Sequence, residues 1–432
     1  MNHITNIKSI VRGIGVFTAL SLAASFCNFL FNFVLIRLLS SQEFRDLTLA
    51  NNMINVFGNL FIALNIVSIA IFYISKDKQA DIIRACQKII YVLYALLLIA
   101  CVAFNSEVQR RTGLHDTLIL NLTLAVIFFS IPVMVLNAIY LGSNRFNKSA
   151  VLNICLALGR LILGVAGAII IATHKDVAAV GGVLLVYLVV FSFFTLLEKE
   201  EYRKKNFEIF KRIWEAPVHI LKQHRLLVAA SVLYAVTINF LFGLDLFMFG
   251  QFFSNSDSAD YAAVSIVGKL IFYVVAPVSV YLAAKQQELI HTKPRTALRA
   301  SIGVNTLTIL GGLVLAAIPT SIIGLLIHRG ASDINHEFLL LSLVFNTAVV
   351  LTNHQVIEAI VGKRQKTALT ILGSLLLING SLFMVFRGIE STFSGHTPAL
   401  LALGIPAVTM VTASTILFTA THLVGRKKST AL

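Results

Sequence analysis

Stretches of about 20 apolar residues recur from one end of this chain to the other, and few folds accommodate such a pattern. A run of that length crosses the hydrocarbon layer as a helix. In lipid the backbone has no water to bond to, so only helices and closed barrels can span. Strands of a barrel alternate apolar and polar residues; these runs do not. The composition agrees: 57% of the 432 residues are hydrophobic and 13% are charged, with a mean hydropathy of +0.85. Soluble domains carry about a quarter charged residues. The expected fold class is therefore an all-α, polytopic membrane protein.

Twelve spans are expected, at about 14–39, 46–73, 87–104, 118–141, 151–173, 179–197, 227–250, 261–284, 298–319, 337–360, 368–388 and 399–424. Lys8 and Arg12 precede the first of them in the manner of a signal sequence. The stretch from Ile14 to Leu39 is too long for a signal core, and no small-residue cleavage site follows, so it reads as a retained helix. Positive charge sets the orientation. With the N-terminus inside, the inner segments hold 26 of the 35 Lys and Arg residues and the outer segments seven, which puts both termini on the cytoplasmic side of a plasma membrane. The net charge of +15 is spread over seven inner segments, so no nucleic-acid partner is expected. Cys27, Cys86, Cys101 and Cys155 show no paired spacing, and neither a disulfide nor a zinc framework is implied. No cofactor is expected.

One long hydrophilic segment, 198–226, separates the sixth and seventh spans and carries eight basic residues. Phe207, Phe210, Ile213 and Trp214 fall at helical spacing within it, as in a helix lying on the inner leaflet; a solvated linker is the alternative. Three domains follow: an N-terminal six-helix lobe (1–197), the basic linker (198–226) and a C-terminal six-helix lobe (227–432). The halves echo each other. The quartet Asn28-Phe29-Leu30-Phe31 returns as Asn239-Phe240-Leu241-Phe242, 211 residues later. Ser41-Gln42-Glu43-Phe44 is echoed by Ser258-Ala259-Asp260-Tyr261 at an offset of 217, and Lys148-Ser149-Ala150-Val151 by Lys366-Thr367-Ala368-Leu369 at 218. The matches keep their order and topological place, which is the signature of a parallel repeat of six spans, an arrangement transporters use to handle substrate between halves.

Ionisable groups inside spans are costly and tend to face a cavity or a partner. Arg160 lies near the middle of span five, too deep to reach either surface easily. Lys269 lies in span eight, where it either pairs with Asp245 of span seven or meets substrate. Arg37 closes span one and either snorkels to the headgroups or lines the cavity. Asn52, Asn55 and Asn59 share one face of span two, suited to sugar hydroxyls or to bonds between helices. At the 217 offset, Asn52 corresponds to Lys269. His354 and Glu358, one turn apart near the inner end of span ten, can exchange a proton or simply pair. Together with Asp245 they are the candidates for coupling or gating.

The turns "IRLLSSQEF" after span one, "GLDLFMFGQFFSNSDSADYAAV" at spans seven and eight, and the charged turns "GSNRFNKSA" and "GKRQKTA" resemble those of a known family. It is the multidrug/oligosaccharidyl-lipid/polysaccharide exporter superfamily, in its polysaccharide branch, the Wzx-type flippases. The resemblance covers essentially the whole chain. It implies two six-helix bundles in a V around a central cavity. It also implies flipping of polyprenyl-pyrophosphate-linked oligosaccharide across the bacterial inner membrane, for O-antigen or related surface polysaccharides. The partners it implies are that lipid-linked sugar, membrane lipids, and polysaccharide polymerase and chain-length proteins. Arg160, Lys269, Arg37 and the Asn face would meet the substrate. Two other readings stand beside it: a multidrug or ion antiporter of the same superfamily, and a polytopic membrane enzyme of polysaccharide assembly. The enzyme would need a sizeable outer loop, and the longest here, 320–336, has 17 residues.

Overall fold

The computed structural model describes residues 2–40, 79–107, 116–171, 173–197, 219–252, 255–292, 294–319, 336–389 and 397–422, and scattered positions at 43, 46–47, 50–51, 53–54, 63–71, 214–215 and 321. Helix dominates them throughout. In chain order the long helices are α1 (Asn2–Leu38), α2 (Gln79–Ala103), α3 (Thr117–Gly142), α4 (Phe146–Ile170), α5 (Lys175–Leu197), α6 (Arg225–Phe252), α7 (Asn255–Thr292), α8 (Pro294–Ala316), α9 (His336–Val361), α10 (Gln365–Ile389) and α11 (Thr397–His422). Each coincides with one expected span. The remaining span, the second, is helical wherever it is described, at 46–47, 50–51, 53–54 and 63–71. Ten of the described helices are long and apolar enough to cross a membrane, and α7 contains a shorter apolar stretch, Val267–Ala283. The chain divides into two compact units, Met1–Val228 and Ala229–Leu432.

In the first unit α1 packs on α4, and α3 and α4 pack on α5. Helices gain nothing hydrophobic from leaving lipid, so close packing and polar contacts hold them together. Small residues supply the first. A Cβ on Gly182 of α5 would lie 2.4 Å from the Leu163 carbonyl oxygen, and one on Gly167 would lie 2.6 Å from that of Ala178. A Cβ on Gly164 of α4 would likewise meet the Phe31 ring of α1 at 2.6 Å. Side-chain hydroxyls supply the second. Ser68 donates to the Ala138 carbonyl at 2.8 Å, and Ser149 donates to Asn137 Oδ1 at 2.6 Å. Within α4 the backbone opens into one π turn, Arg160–Gly164. Beyond α1, Ser40 and Glu43 form a capping box: the Glu43 carboxylate accepts from the Ser40 amide and hydroxyl, both at 2.8 Å. The same carboxylate accepts from the Lys175 amide at 3.3 Å, which ties the start of α5 to the end of α1. Partial burial works against the Glu43 anion, but the Ser40 and Lys175 donors and the Lys175 charge outweigh it and hold the carboxyl below its ordinary range.

The second unit is built around α9, which packs on α7, α11 and α8. Its apolar window is 72% buried, against 22% for α8 and for α10, whose Leu313, Val314, Leu377 and Met384 face outward as lipid-facing residues do. A Cβ on Gly268 would lie 2.4 Å from Ser342 Oγ, so α7 and α9 touch nearly backbone to backbone.

The two units make the same turn. After α3, Asn144 takes the left-handed conformation (φ 58°), the Arg145 amide reaches back to the Tyr140 carbonyl at 2.8 Å, and the Ser143 amide reaches Ile139. After α9, Lys363 is left-handed (φ 64°), the Arg364 amide reaches Ala359 at 2.8 Å, and the Gly362 amide reaches Glu358. Both are Schellman ends, which satisfy the last carbonyls of a helix. Every atom pair is displaced by 219 residues, and the Ser149-to-Arg145 bond that opens α4 recurs as Ala368 to Arg364. The register of the repeat at this turn is therefore 219, not the 218 that the matching lysines suggest. Backbone geometry fixes it, whereas Lys148 and Lys366 are a coincidence of composition.

Candidate functional site

Three polar constellations lie within the helices. In the first unit Arg160 opens the π turn, just past the middle of the 25-residue α4. A π turn widens the helix locally and turns the residues that follow, a feature concentrated at working sites. The guanidinium sits over the Tyr187 ring of α5, 5.6 Å from its centre, and Nη2 donates to the Tyr187 hydroxyl at 3.2 Å. Arg160 is half-buried, and no carboxylate pairs with it among the described residues. At the 219 register its counterpart is Asn379 of α10, which is fully buried and donates to the Leu375 carbonyl of its own helix.

In the second unit the structure brings Lys269 and Asp245 together, 3.6 Å apart. The Tyr261 hydroxyl donates to the other Asp245 oxygen at 3.2 Å, and Lys269 Nζ lies 4.9 Å from the Phe242 ring centre. Both charged side chains are withdrawn, Asp245 wholly and Lys269 to 11% exposure, so the clasp is a buried ion pair.

The third constellation lies where the last turns of α9 and α11 meet the early turns of α8. Glu358 is buried there. His354 Nε2 faces Oε1 at 3.4 Å, and His422 Nε2 faces Oε2 at 3.1 Å. The Ser301 hydroxyl also donates to Oε2, at 2.8 Å, and Gln355 Nε2 donates to Ser301 Oγ at 3.3 Å and to Asn305 Oδ1 at 3.1 Å. The expected His354–Glu358 pair is present, but His422 and Ser301 complete it. They are 64 and 57 residues from Glu358, beyond the reach of helical periodicity. Tyr187 is a third residue the sequence reading missed. An aromatic hydroxyl in an apolar span signals that it has some partner, though not which one.

Arg37 is exposed and lies over the Phe33 ring at 4.3 Å. Asn32 donates to the Asn28 carbonyl within its own helix at 3.0 Å. Asn52, Asn55 and Asn59 lie outside the described residues, as do Phe207, Phe210 and Ile213 of the linker; Trp214, which is described, is exposed.

No family's sequence profile matches the chain, and no curated protein sequence does. Solved structures do. A MOP superfamily transporter from Pyrococcus furiosus superimposes over 97% of this chain and 96% of its own, with a TM-score of 0.70 at 14% identity. Its report describes a binding pocket of reverse polarity that suggests a different function. A MATE transporter solved in complex with MaL6 gives the same coverage and TM-score at 12% identity. The chain has the MATE fold. A mutant of the Vibrio cholerae MATE transporter VcmN, 15% identical with a TM-score of 0.65, agrees over 96% of this chain and 98% of its own. The MATE fold accounts for the order of the helices, their apolar surfaces and a multi-pass membrane protein. At these identities it assigns no substrate.

Proposed function

We propose that this protein flips polyprenyl-pyrophosphate-linked oligosaccharide units from the cytoplasmic to the periplasmic leaflet by alternating access. The observation that carries the reading is the sign of the uncompensated charge within the helices. Asp245 is matched by Lys269 and Tyr261, and Glu358 by two imidazoles and Ser301. Arg160 has only the hydroxyl and ring of Tyr187 among the described residues. A half-buried guanidinium without a carboxylate suits a pyrophosphate, whose oxygens it can take in a forked, charge-assisted contact. The Pyrococcus furiosus transporter, described as having a pocket of reverse polarity and a different function, supports the use of charge sign to separate substrates on this fold. The excess of Lys and Arg on the inner segments argues for inner termini, and a lipid-linked sugar as cargo would set the protein in the inner membrane, with polymerase and chain-length proteins downstream.

A second reading, a multidrug antiporter, is favoured by the MATE neighbours, one of them an outward-facing multidrug resistance transporter. One experiment separates the two. Proteoliposomes holding the full chain are supplied with a labelled polyprenyl-pyrophosphate oligosaccharide, and separately with a cationic dye. Flipping of the lipid should be lost in Arg160→Ala at normal abundance and partly recovered in Arg160→Lys, where charge returns without the fork. Full flipping by Arg160→Ala would remove the reading, and dye transport indifferent to Arg160 would establish the second.

A further inference from the structure

Asp245 already has a fixed cation beside it, but Glu358 has none among the described residues. Its two ionisable partners are imidazoles, the side chains that gain and lose a proton near neutral pH. From α9 it faces His354 and from α11 His422; α8 contributes the neutral Ser301 hydroxyl. Among the described residues no ion pair reaches it from α7 or α10. The charge of the cluster is therefore set by its protons. With both rings neutral it holds one buried negative charge. One proton on either ring brings it to zero, and a second makes it positive.

Two further features argue for a working site. His354 is wholly buried, and neither of its ring nitrogens makes a hydrogen bond among the described residues, although Nε2 points at Glu358 Oε1. The first unit also makes the same Schellman turn with Ile139 where the second has Glu358, and Val135 where it has His354. The helix end thus folds without the cluster. The three groups are not arranged to hold a metal ion.

We propose that Glu358, His354 and His422 form a proton-binding site in the second unit, at the end that the charge bias assigns to the cytoplasm. Loading it clamps the last turn of α11 onto α9. His422, in the last turn of α11, is buried but the least withdrawn of the three, and in this scheme it takes the proton first. The proton bonds to a ring nitrogen of His422 and passes across the Glu358 carboxylate to His354, each transfer leaving the electron pair on the donor. The site itself needs no knowledge of the cargo; its use in coupling rests on the transporter reading.

The full chain, labelled with 15N at histidine and held in lipid nanodiscs, is titrated from about pH 5 to about pH 8. His354→Gln and His422→Gln identify the two ring signals. Both should change protonation state, and each should report the titration of the other until Glu358→Gln severs the link. Rings whose protonation is constant over that range, or unaffected by Glu358→Gln, would overturn the proposal. If Glu358→Gln fails to fold, Ser301→Ala, which withdraws one donor from the same carboxylate, is read in its place. In vesicles, transport of whichever cargo the wild type carries should change several-fold as the pH at the inner face is stepped. Transport by Glu358→Gln should ignore that step; a variant that follows it as the wild type does would refute coupling. If lipid-linked sugar is not carried while the rings still titrate, the substrate reading falls and this one stands.

Discussion

Asp245 and Lys269 show how far a single residue can be read. Both are withdrawn from solvent, so removing one partner strands the other as an uncompensated charge, at a cost of about 3–5 kcal/mol. Asp245→Asn and Lys269→Met should each lower the melting temperature in detergent. The double variant should recover most of the loss, because the buried pair itself contributes little beyond its own desolvation. If the double variant melts as low as the sum of the singles, the pair is not coupled. The pairing was legible in the sequence because neighbouring spans run antiparallel and both residues sit in the outer half. The Tyr261 hydroxyl that completes it was not, since an aromatic at the start of a span suits the membrane interface equally well. Arg160 was legible as an anomaly of depth alone; that it rests on Tyr187 depends on a helix crossing that periodicity does not encode.

Helices α4 and α5 meet through glycine, and two adjacent glycines of α5 make the point testable. A methyl on Gly182 would lie 2.4 Å from the Leu163 oxygen and 2.9 Å from the Gly164 Cα, all of it backbone that cannot step aside. Nothing lies within 4 Å of one on Gly181. Gly182→Ala should therefore destabilise the first unit by about 1–3 kcal/mol. Gly181→Ala should be neutral or slightly stabilising, since alanine favours the helix. Equal thermal midpoints for the two variants would mean that α4 and α5 are not held as described. Helix positions were legible from apolar run length alone, and eleven of the expected spans coincide with described helices. The π turn was not. Its residues, Arg160-Leu161-Ile162-Leu163-Gly164, read as ordinary helix, and apolar periodicity carries no mark of the wider turn.

The whole chain follows a rule of alternation. The bias of 26 inner against seven outer cations predicts that reporter fusions after Asn255 and Asp333 report the outside, and fusions after Lys204 and Lys366 the inside. Two reversed signals would break the twelve-span order. The repeat was visible in the sequence only as fragments, at offsets of 211, 217 and 218. Side chains drift after a duplication, while a helix end still has to satisfy its carbonyls. The backbone turn therefore kept its register where the letters around it did not.

Those paired left-handed turns make each half of the molecule a control for the other. Where the backbone is the same, chemistry found on one side only is chemistry that folding does not ask for. Ile139 opposite Glu358 marks such a place, with the acid in one half only; Arg160 differs from Asn379 in backbone as well, since its π turn has no counterpart among the described residues of α10. The halves share one architecture but have specialised, as two copies of a tool are ground to different edges.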